Sequence, residues 1–178
     1  YLSLFLFTRY IKIMINKIIL ASKSGVRKKI LEENGFNCLA KPANIDEESI
    51  KESLKNEGAT PLLISKNLAE LKANKISKSL NGEIVIGADS VIDLEGYIIS
   101  KPTNREEALT ILKKLNGKVH NLISSICVSR NGQMIWNYSE KAELVMKNLN
   151  DNELKSYLSK ITDAALYAYN VYQIEGEG

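Results

Sequence analysis

The segment Ile84-Val-Ile-Gly-Ala-Asp-Ser-Val-Ile-Asp-Leu94 is an apolar run that carries a carboxylate, Asp89, near its middle. Its length and its β-branched residues predict a buried strand. An ionised carboxylate in such a strand is costly unless another group pairs with it. Two basic groups lie at turns elsewhere in the chain: Arg27 follows Ser22-Lys-Ser-Gly25, and Lys101 directly precedes Pro102. This pattern indicates chemistry on a phosphate, with a metal ion between the acid and the substrate.

The composition is that of a soluble globular protein. The chain has 178 residues, of which 44% are apolar and 25% charged, and a net charge of +3 from 24 basic and 21 acidic residues. This length suits one domain with a substantial core. Because the charge excess is small and the lysines are interleaved with glutamates, we expect neither a nucleic-acid partner nor a membrane partner.

Cysteine and histidine usage restricts the metal chemistry. Cys38 and Cys127 lie far apart, and His120 is the single histidine. The two cysteines are therefore predicted to be reduced core thiols of a cytoplasmic protein. Any metal would be held by oxygen ligands, which favours Mg²⁺ or Mn²⁺.

The first residues do not fit the pattern of the rest. Tyr1-Leu-Ser-Leu-Phe-Leu-Phe7 is apolar but too short to span a bilayer. Basic residues follow this run instead of preceding it, unlike a secretory signal. Since Met14 stands just before the first strand pattern, residues 1–13 are interpreted as a non-native extension and residues 14–178 as one domain. A membrane-associated arm is the alternative.

Strand and helix patterns alternate along the remaining chain. Strands are predicted over residues 17–21, 36–40, 83–94, 97–100, 119–130 and 133–147. The last two are joined by Asn131-Gly132, a strong hairpin signal. Helices are predicted over residues 26–34, 46–57, 61 to about 80, 103–116 and 151–160. This order predicts a single α/β domain with a mixed sheet and flanking helices.

Two local predictions concern the third and fourth helices. In the third helix, Ile64, Leu68 and Leu71 are predicted to form the apolar stripe, with Lys72 beside it. In the fourth, Thr103-x-x-Glu106 is predicted to be a capping box.

Four ordered sequence blocks resemble one enzyme family. The first is Leu20-Ala-Ser-Lys-Ser-Gly-Val-Arg27, and the second joins Asp46-Glu47 to Leu68-Ala-Glu-Leu-Lys-Ala73. The others are Gly87-Ala-Asp-Ser-Val91 with Lys101-Pro102 and Leu115-Asn-Gly-Lys-Val-His120, and then Tyr172-Gln-Ile-Glu-Gly176. Each block is weak alone, but the order and spacing together resemble the Maf family of nucleoside triphosphate pyrophosphatases. The resemblance runs from about Ile18 to the last residue.

The resemblance implies a fold, a reaction and a set of site residues. The fold would be inosine triphosphatase-like, with a strongly bent mixed sheet and a deep cleft. The reaction would split a nucleoside triphosphate into the monophosphate and pyrophosphate, with Asp89 accepting a proton from water directly or through a metal-bound water. Glu47 and Asp89 would hold the metal, and Glu175 would contact the base or the metal. The residues implied in phosphate binding are Ser22, Ser24, Arg27, Lys72 and Lys101.

Several of these residues also have a structural interpretation. The two serines can cap a helix, Glu47 can be an exposed first-turn residue, and Lys72 can face solvent. His120 is predicted to be a hydrogen-bonded packing residue. Trp136 is predicted to lie in the core or on a dimer surface.

The chain also departs from the family pattern, and other functions stay open. Val26 replaces an arginine, Ala168 a lysine and Glu175 a glutamine of the family, so substrate preference is left open. The resemblance further implies that the chain is incomplete at its C-terminus. A non-catalytic nucleotide-binding regulator of cell division is the alternative function, and an RNA-binding module is less favoured because no aromatic-basic stripe is visible. A homodimer is left open.

Overall fold

The computed structural model describes residues 17–163, 166 and 170–172. It confirms the predicted α/β class, and the predicted N-terminal extension lies outside these residues. No helix in this described part is long and apolar enough to cross a membrane. The elements in chain order are β1 (Ile18–Leu20), α1 (Gly25–Glu33), β2 (Cys38–Ala40), α2 (Glu47–Asn56), α3 (Pro61–Ser77), β3 (Val85–Leu94), β4 (Tyr97–Ile99), α4 (Arg105–Leu115), β5 (Val119–Arg130), β6 (Gln133–Val145) and α5 (Asp151–Lys160).

The six strands form one mixed sheet, as predicted. The strand order is β2-β1-β3-β5-β6, and β4 pairs with β3 off this path. Strand β1 is parallel to β2 and to β3, whereas β4 is antiparallel to β3. All three residues of β1 are buried, which explains its continuous apolar composition. Asn131 and Gly132 both have positive φ, 52° and 80°, as the predicted hairpin turn between β5 and β6 requires.

The chain divides into two compact units. The first contains residues 17–89 and 124–139, and the second contains residues 90–123 and the described residues from 140 onward. In the first unit, Ile19, Val85 and Ile76 pack in one apolar cluster that joins β1, β3 and α3. In the second unit, Leu112 and Leu154 belong to a cluster that joins α4 and α5. Each unit therefore has its own apolar cluster.

Helix α3 buries Ile64 and Leu68, as predicted, but its third predicted stripe residue is exposed. Ile64, Leu68, Lys72 and Ile76 all lie on its buried face at four-residue spacing. Leu71 is 43% exposed, so its predicted place in the apolar stripe is wrong. The buried face continues from Leu68 to position i+4 and not to position i+3. The helix also ends at Ser77 rather than near residue 80.

Helix α4 begins with a different cap from the predicted one. Asn104 is the N-cap residue, and its side-chain oxygen accepts the Glu107 N–H at 2.8 Å. The Glu107 carboxylate accepts the backbone N–H and the hydroxyl of Thr103 at 2.8 and 2.7 Å. The predicted capping box of Thr103 and Glu106 is therefore wrong. Asn caps at least as well as Thr, so the helix starts one residue later.

Strand β6 is largely exposed, and this corrects the prediction for its tryptophan. Trp136 is 52% exposed, so a core position is wrong. Its ring stacks on Tyr138, with ring centroids 6.1 Å apart and an interplanar angle of 13°.

Cys38 and Cys127 are buried and free, as predicted, and burial raises the pKa of both thiols.

Candidate active site

A glycine in β3 brings α3 against the strand. A Cβ at Gly87 would overlap the carbonyl oxygen of Ala69 and would lie 2.7 Å from the Ala73 nitrogen. Only glycine tolerates this approach of helix backbone to strand backbone. Asp89 lies two residues further along β3 on the same face, and Lys72 precedes Ala73 on the helix. The close approach therefore places a helix lysine beside a strand carboxylate.

Lys72 joins the two carboxylates that the sequence analysis singled out. Its Nζ lies 2.7 Å from Asp89 Oδ1 and 3.0 Å from Glu47 Oε1. The side chains of Lys72 and Asp89 are only 8% and 6% exposed, whereas that of Glu47 is 40% exposed. The interpretation of Lys72 as a solvent-facing residue is therefore wrong. Glu47 is the first residue of α2, which Asp46 caps by accepting the Ser49 N–H.

One carboxylate oxygen of Asp89 has a hydrogen-bond partner among the described residues, and the other does not. Burial raises the pKa of its carboxyl, and the charge and the hydrogen bond of Lys72 oppose that rise. Its Oδ2 is buried and accepts no hydrogen bond from any residue in the described ranges. An unsatisfied buried carboxylate oxygen is unusual in a folded protein and calls for an explanation. A proton, a water molecule or a cation would each satisfy it.

Arg27 is fixed by the turn that opens α1. Its Nη1 donates to the Ala88 carbonyl at 2.8 Å and to the Ser22 hydroxyl at 3.3 Å. Ser24 is the N-cap of α1 and accepts the Arg27 N–H, which confirms the capping interpretation for this serine. Burial lowers the pKa of the guanidinium, and the charges of Asp89 and a glutamate of α2 oppose this shift. The positive charge of Arg27 therefore interacts with the carboxylate of Asp89.

We call Arg27, Glu47, Lys72 and Asp89 the Asp89 cluster, and it has one neighbour that the sequence analysis missed. Lys51 lies one helical turn after Glu47 on α2 and is 8% exposed. Its charge lowers the pKa of Asp89. The i, i+4 spacing from Glu47 places Lys51 on the same helix face, and this was the sequence signal for its position. A lysine in a polar helix is, however, ordinarily exposed to solvent.

Lys101, Glu175 and His120 are the other residues that the sequence analysis singled out. Lys101 is exposed and follows β4 in the second unit. Glu175 lies outside the described residues, as does Ala168. His120 is 2% exposed, and its Nε2 lies 2.8 Å from the Tyr172 hydroxyl, which confirms its packing interpretation. The roles of Lys101 and Glu175 stay predictions.

Comparison with known proteins places the chain in a family. Residues 17–178 match the sequence profile described as Maf-like protein. The chain belongs to the Maf family. A nucleoside triphosphate pyrophosphatase of Pelagibacter ubique is 68% identical over 165 residues, which cover 93% of this chain and 85% of that protein. A protein of the same name from a Ruegeria species is 36% identical over 93% of this chain and 83% of its own length. A 7-methyl-GTP pyrophosphatase of Brucella abortus is 35% identical, over 91% and 81% of the two chains.

Three of the four sequence blocks supply residues of the Asp89 cluster. The first block supplies Arg27, the second supplies Glu47 and Lys72, and the third supplies Asp89. Three of these side chains are joined by the two ion pairs of Lys72. These four residues are far apart in the Maf sequence but belong to one cluster in the first unit.

Proposed function

We propose that this Maf protein hydrolyses a nucleoside triphosphate to the monophosphate and pyrophosphate. The observation that carries the proposal is Asp89, a buried carboxylate with one unsatisfied oxygen. Lys72 contacts its other oxygen at 2.7 Å, and Arg27 donates to the carbonyl of the preceding residue, Ala88. Relatives named nucleoside triphosphate pyrophosphatase and 7-methyl-GTP pyrophosphatase support the same reaction class. Cations around a buried base suit a substrate with several negative charges and an attacking water.

In the proposed reaction, Asp89 is the proton acceptor. The water oxygen forms a bond to phosphorus, the anhydride bond between the α- and β-phosphates breaks, and the water proton goes to Asp89 Oδ2. Lys72 binds the other oxygen, Oδ1, at 2.7 Å. This ion pair fixes the carboxylate and favours its ionised form, which a base must have before the reaction begins.

The phosphate chain is proposed to bind at the start of α1. Strand β1 leads through a short turn into this helix, a layout that directs backbone N–H groups at an anion. Arg27 adds a guanidinium that can bind a phosphate through two hydrogen bonds, and Ser22 and Ser24 add hydroxyl groups.

A divalent cation, Mg²⁺ or Mn²⁺, is proposed to bind through Asp89 and Glu47. Within the described residues no group of three or more His, Cys, Asp or Glu side chains could hold a metal. Magnesium sites, however, commonly use one or two carboxylates and complete the shell with water and substrate phosphates. Asp89 Oδ2, which accepts no hydrogen bond from a described residue, would meet such a shell through a water molecule, and this leaves the oxygen able to accept a proton. When bound, the ion would neutralise phosphate charge and lower the pKa of a coordinated water.

Asp89→Asn tests the proposed base. Pyrophosphate release should fall about 10²–10⁴-fold, since the shape is kept and the base is lost. Binding of a non-hydrolysable triphosphate analogue should persist. Asp93→Asn is the matched control, because Asp93 lies on the same strand and its Oδ1 accepts the Gly96 N–H, which asparagine can also accept. Hydrolysis by folded Asp89→Asn at the wild-type rate would remove Asp89 from the mechanism.

Metal removal tests the proposed cation separately. Excess chelator should abolish hydrolysis, and added Mg²⁺ or Mn²⁺ should restore it. Full activity in chelator would show that the cationic side chains suffice, and would leave the assignment of Asp89 untouched. Tight nucleotide binding by the wild type without any pyrophosphate release would instead favour a non-catalytic regulator.

A further inference from the structure

We propose that Lys51 binds the phosphate chain of the substrate and that Glu48 holds its ammonium group until the substrate arrives. This inference rests on the proposed function, because it names an additional substrate contact at the same site. The resemblance between sequence blocks did not include this residue, and neither partner belongs to the Asp89 cluster.

The position of Lys51 follows from helix geometry. Lys51 lies at i+4 from Glu47 on α2, so both side chains leave the same face of the helix. Glu47 contacts Lys72, and Lys72 contacts Asp89. The influence of the Lys51 charge on Asp89 agrees with this placement. The helix face that carries Lys51 is therefore the face that meets the cluster.

The partner of Lys51 is unlike the partner of Lys72. Lys51 Nζ lies 2.7 Å from Glu48 Oε1, and the lysine side chain is 10% exposed while that of the glutamate is 65% exposed. A buried lysine normally has a buried partner, because its desolvation must be offset. An ion pair to a water-exposed carboxylate contributes little and is easily exchanged. A phosphate oxygen can therefore replace the Glu48 carboxylate at Lys51.

The charges of the site give the reason for such an exchange. Arg27 and Lys72 are balanced by Asp89 and Glu47, so these four residues carry no net charge. Lys51 and Glu48 are balanced in the same way while they remain paired. Transfer of Lys51 from Glu48 to a phosphate supplies one positive charge to a substrate that is strongly anionic. The desolvated setting of Lys51 strengthens that contact relative to one made in water.

Two substitutions with opposite expected effects test the proposal. Lys51→Met should raise the Kd of a triphosphate analogue with a methylene group between the α- and β-phosphates by about tenfold or more. Glu48→Gln should lower that Kd several-fold, because the competing carboxylate is gone. Lys55→Met is the matched control, since Lys55 is exposed on the same helix, and its Kd should equal that of the wild type. Titration calorimetry measures each Kd without turnover.

The outcomes separate this inference from the proposed function. If wild-type protein releases pyrophosphate and both variants bind the analogue as the wild type does, Lys51 is a structural residue and the inference is overturned. If no nucleotide is hydrolysed but the opposite Kd changes appear, the inference holds for binding and the proposed reaction fails. Should Lys51→Met not fold, an unchanged Kd for Glu48→Gln alone overturns the inference.

Discussion

Replacing Lys72 with methionine should strongly destabilise the first unit. The substitution keeps an unbranched side chain one atom shorter and removes the cation that lies 2.7 Å from Asp89 Oδ1. Asp89, at 6% side-chain exposure, would then hold a buried charge without its ion-pair partner. Breaking one side of a buried pair costs about 3–5 kcal/mol. We expect about 3 kcal/mol, because Arg27 still acts on Asp89, and a fall in Tm of roughly 6–12 °C.

Urea unfolding followed by circular dichroism measures this loss in the free energy of unfolding. Lys66→Met is the matched control, since Lys66 is exposed on the same helix, and its effect should stay within about 0.5 kcal/mol. Adding Asp89→Asn to Lys72→Met should recover part of the stability, because a neutral amide needs no cation. The double-mutant cycle should give a coupling free energy of about 1–3 kcal/mol. A stable Lys72→Met protein, or additive effects in the cycle, would show that Lys72 does not stabilise a buried charge on Asp89.

Three further predictions concern other parts of the fold. Gly87→Ala should cost at least about 1–3 kcal/mol in urea unfolding, since the new Cβ meets helix backbone, whereas Gly25→Ala, whose Cβ meets nothing within 4 Å, should cost nothing. Burial lowers the pKa of His120, so the unfolded chain binds the proton more readily. Stability from this residue should be complete above a pH of about 6.5 and be lost as the pH falls below it, and the melting temperature of His120→Gln should depend less on pH over that range. Asn104→Ala should cost about 1 kcal/mol by thermal unfolding and Glu106→Ala much less, with the reverse order supporting the original capping box.

The order of elements could be predicted because it depends on local pattern. The apolar run of β3, the hairpin signal at Asn131 and the cap at Asp46 each act within a few residues. The prediction of the α4 cap was wrong because two neighbouring residues offered similar local chemistry. Thr103 and Asn104 can both cap a helix, and the competition is settled by the side chain of Glu107.

The burial of Lys72 could not be predicted from helical periodicity. Periodicity admits both i+3 and i+4 from Leu68, and the apolar choice was Leu71. The contact that decides between them is the approach of α3 to Gly87 in β3, which joins residues distant in sequence. A glycine within a strand pattern signals such an approach, but it does not identify the partner.

Identifying the products formed from a panel of nucleoside triphosphates, including 7-methyl-GTP, shows whether this protein cleaves between the α- and β-phosphates. Anion-exchange chromatography separates the nucleotides, and an enzyme-coupled assay quantifies pyrophosphate and orthophosphate. We predict monophosphate and pyrophosphate in equal amounts from at least one substrate, with no diphosphate, and loss of both products in Asp89→Asn. Release of orthophosphate with nucleoside diphosphate, or no product from any nucleotide in the presence of Mg²⁺ or Mn²⁺, would contradict this prediction.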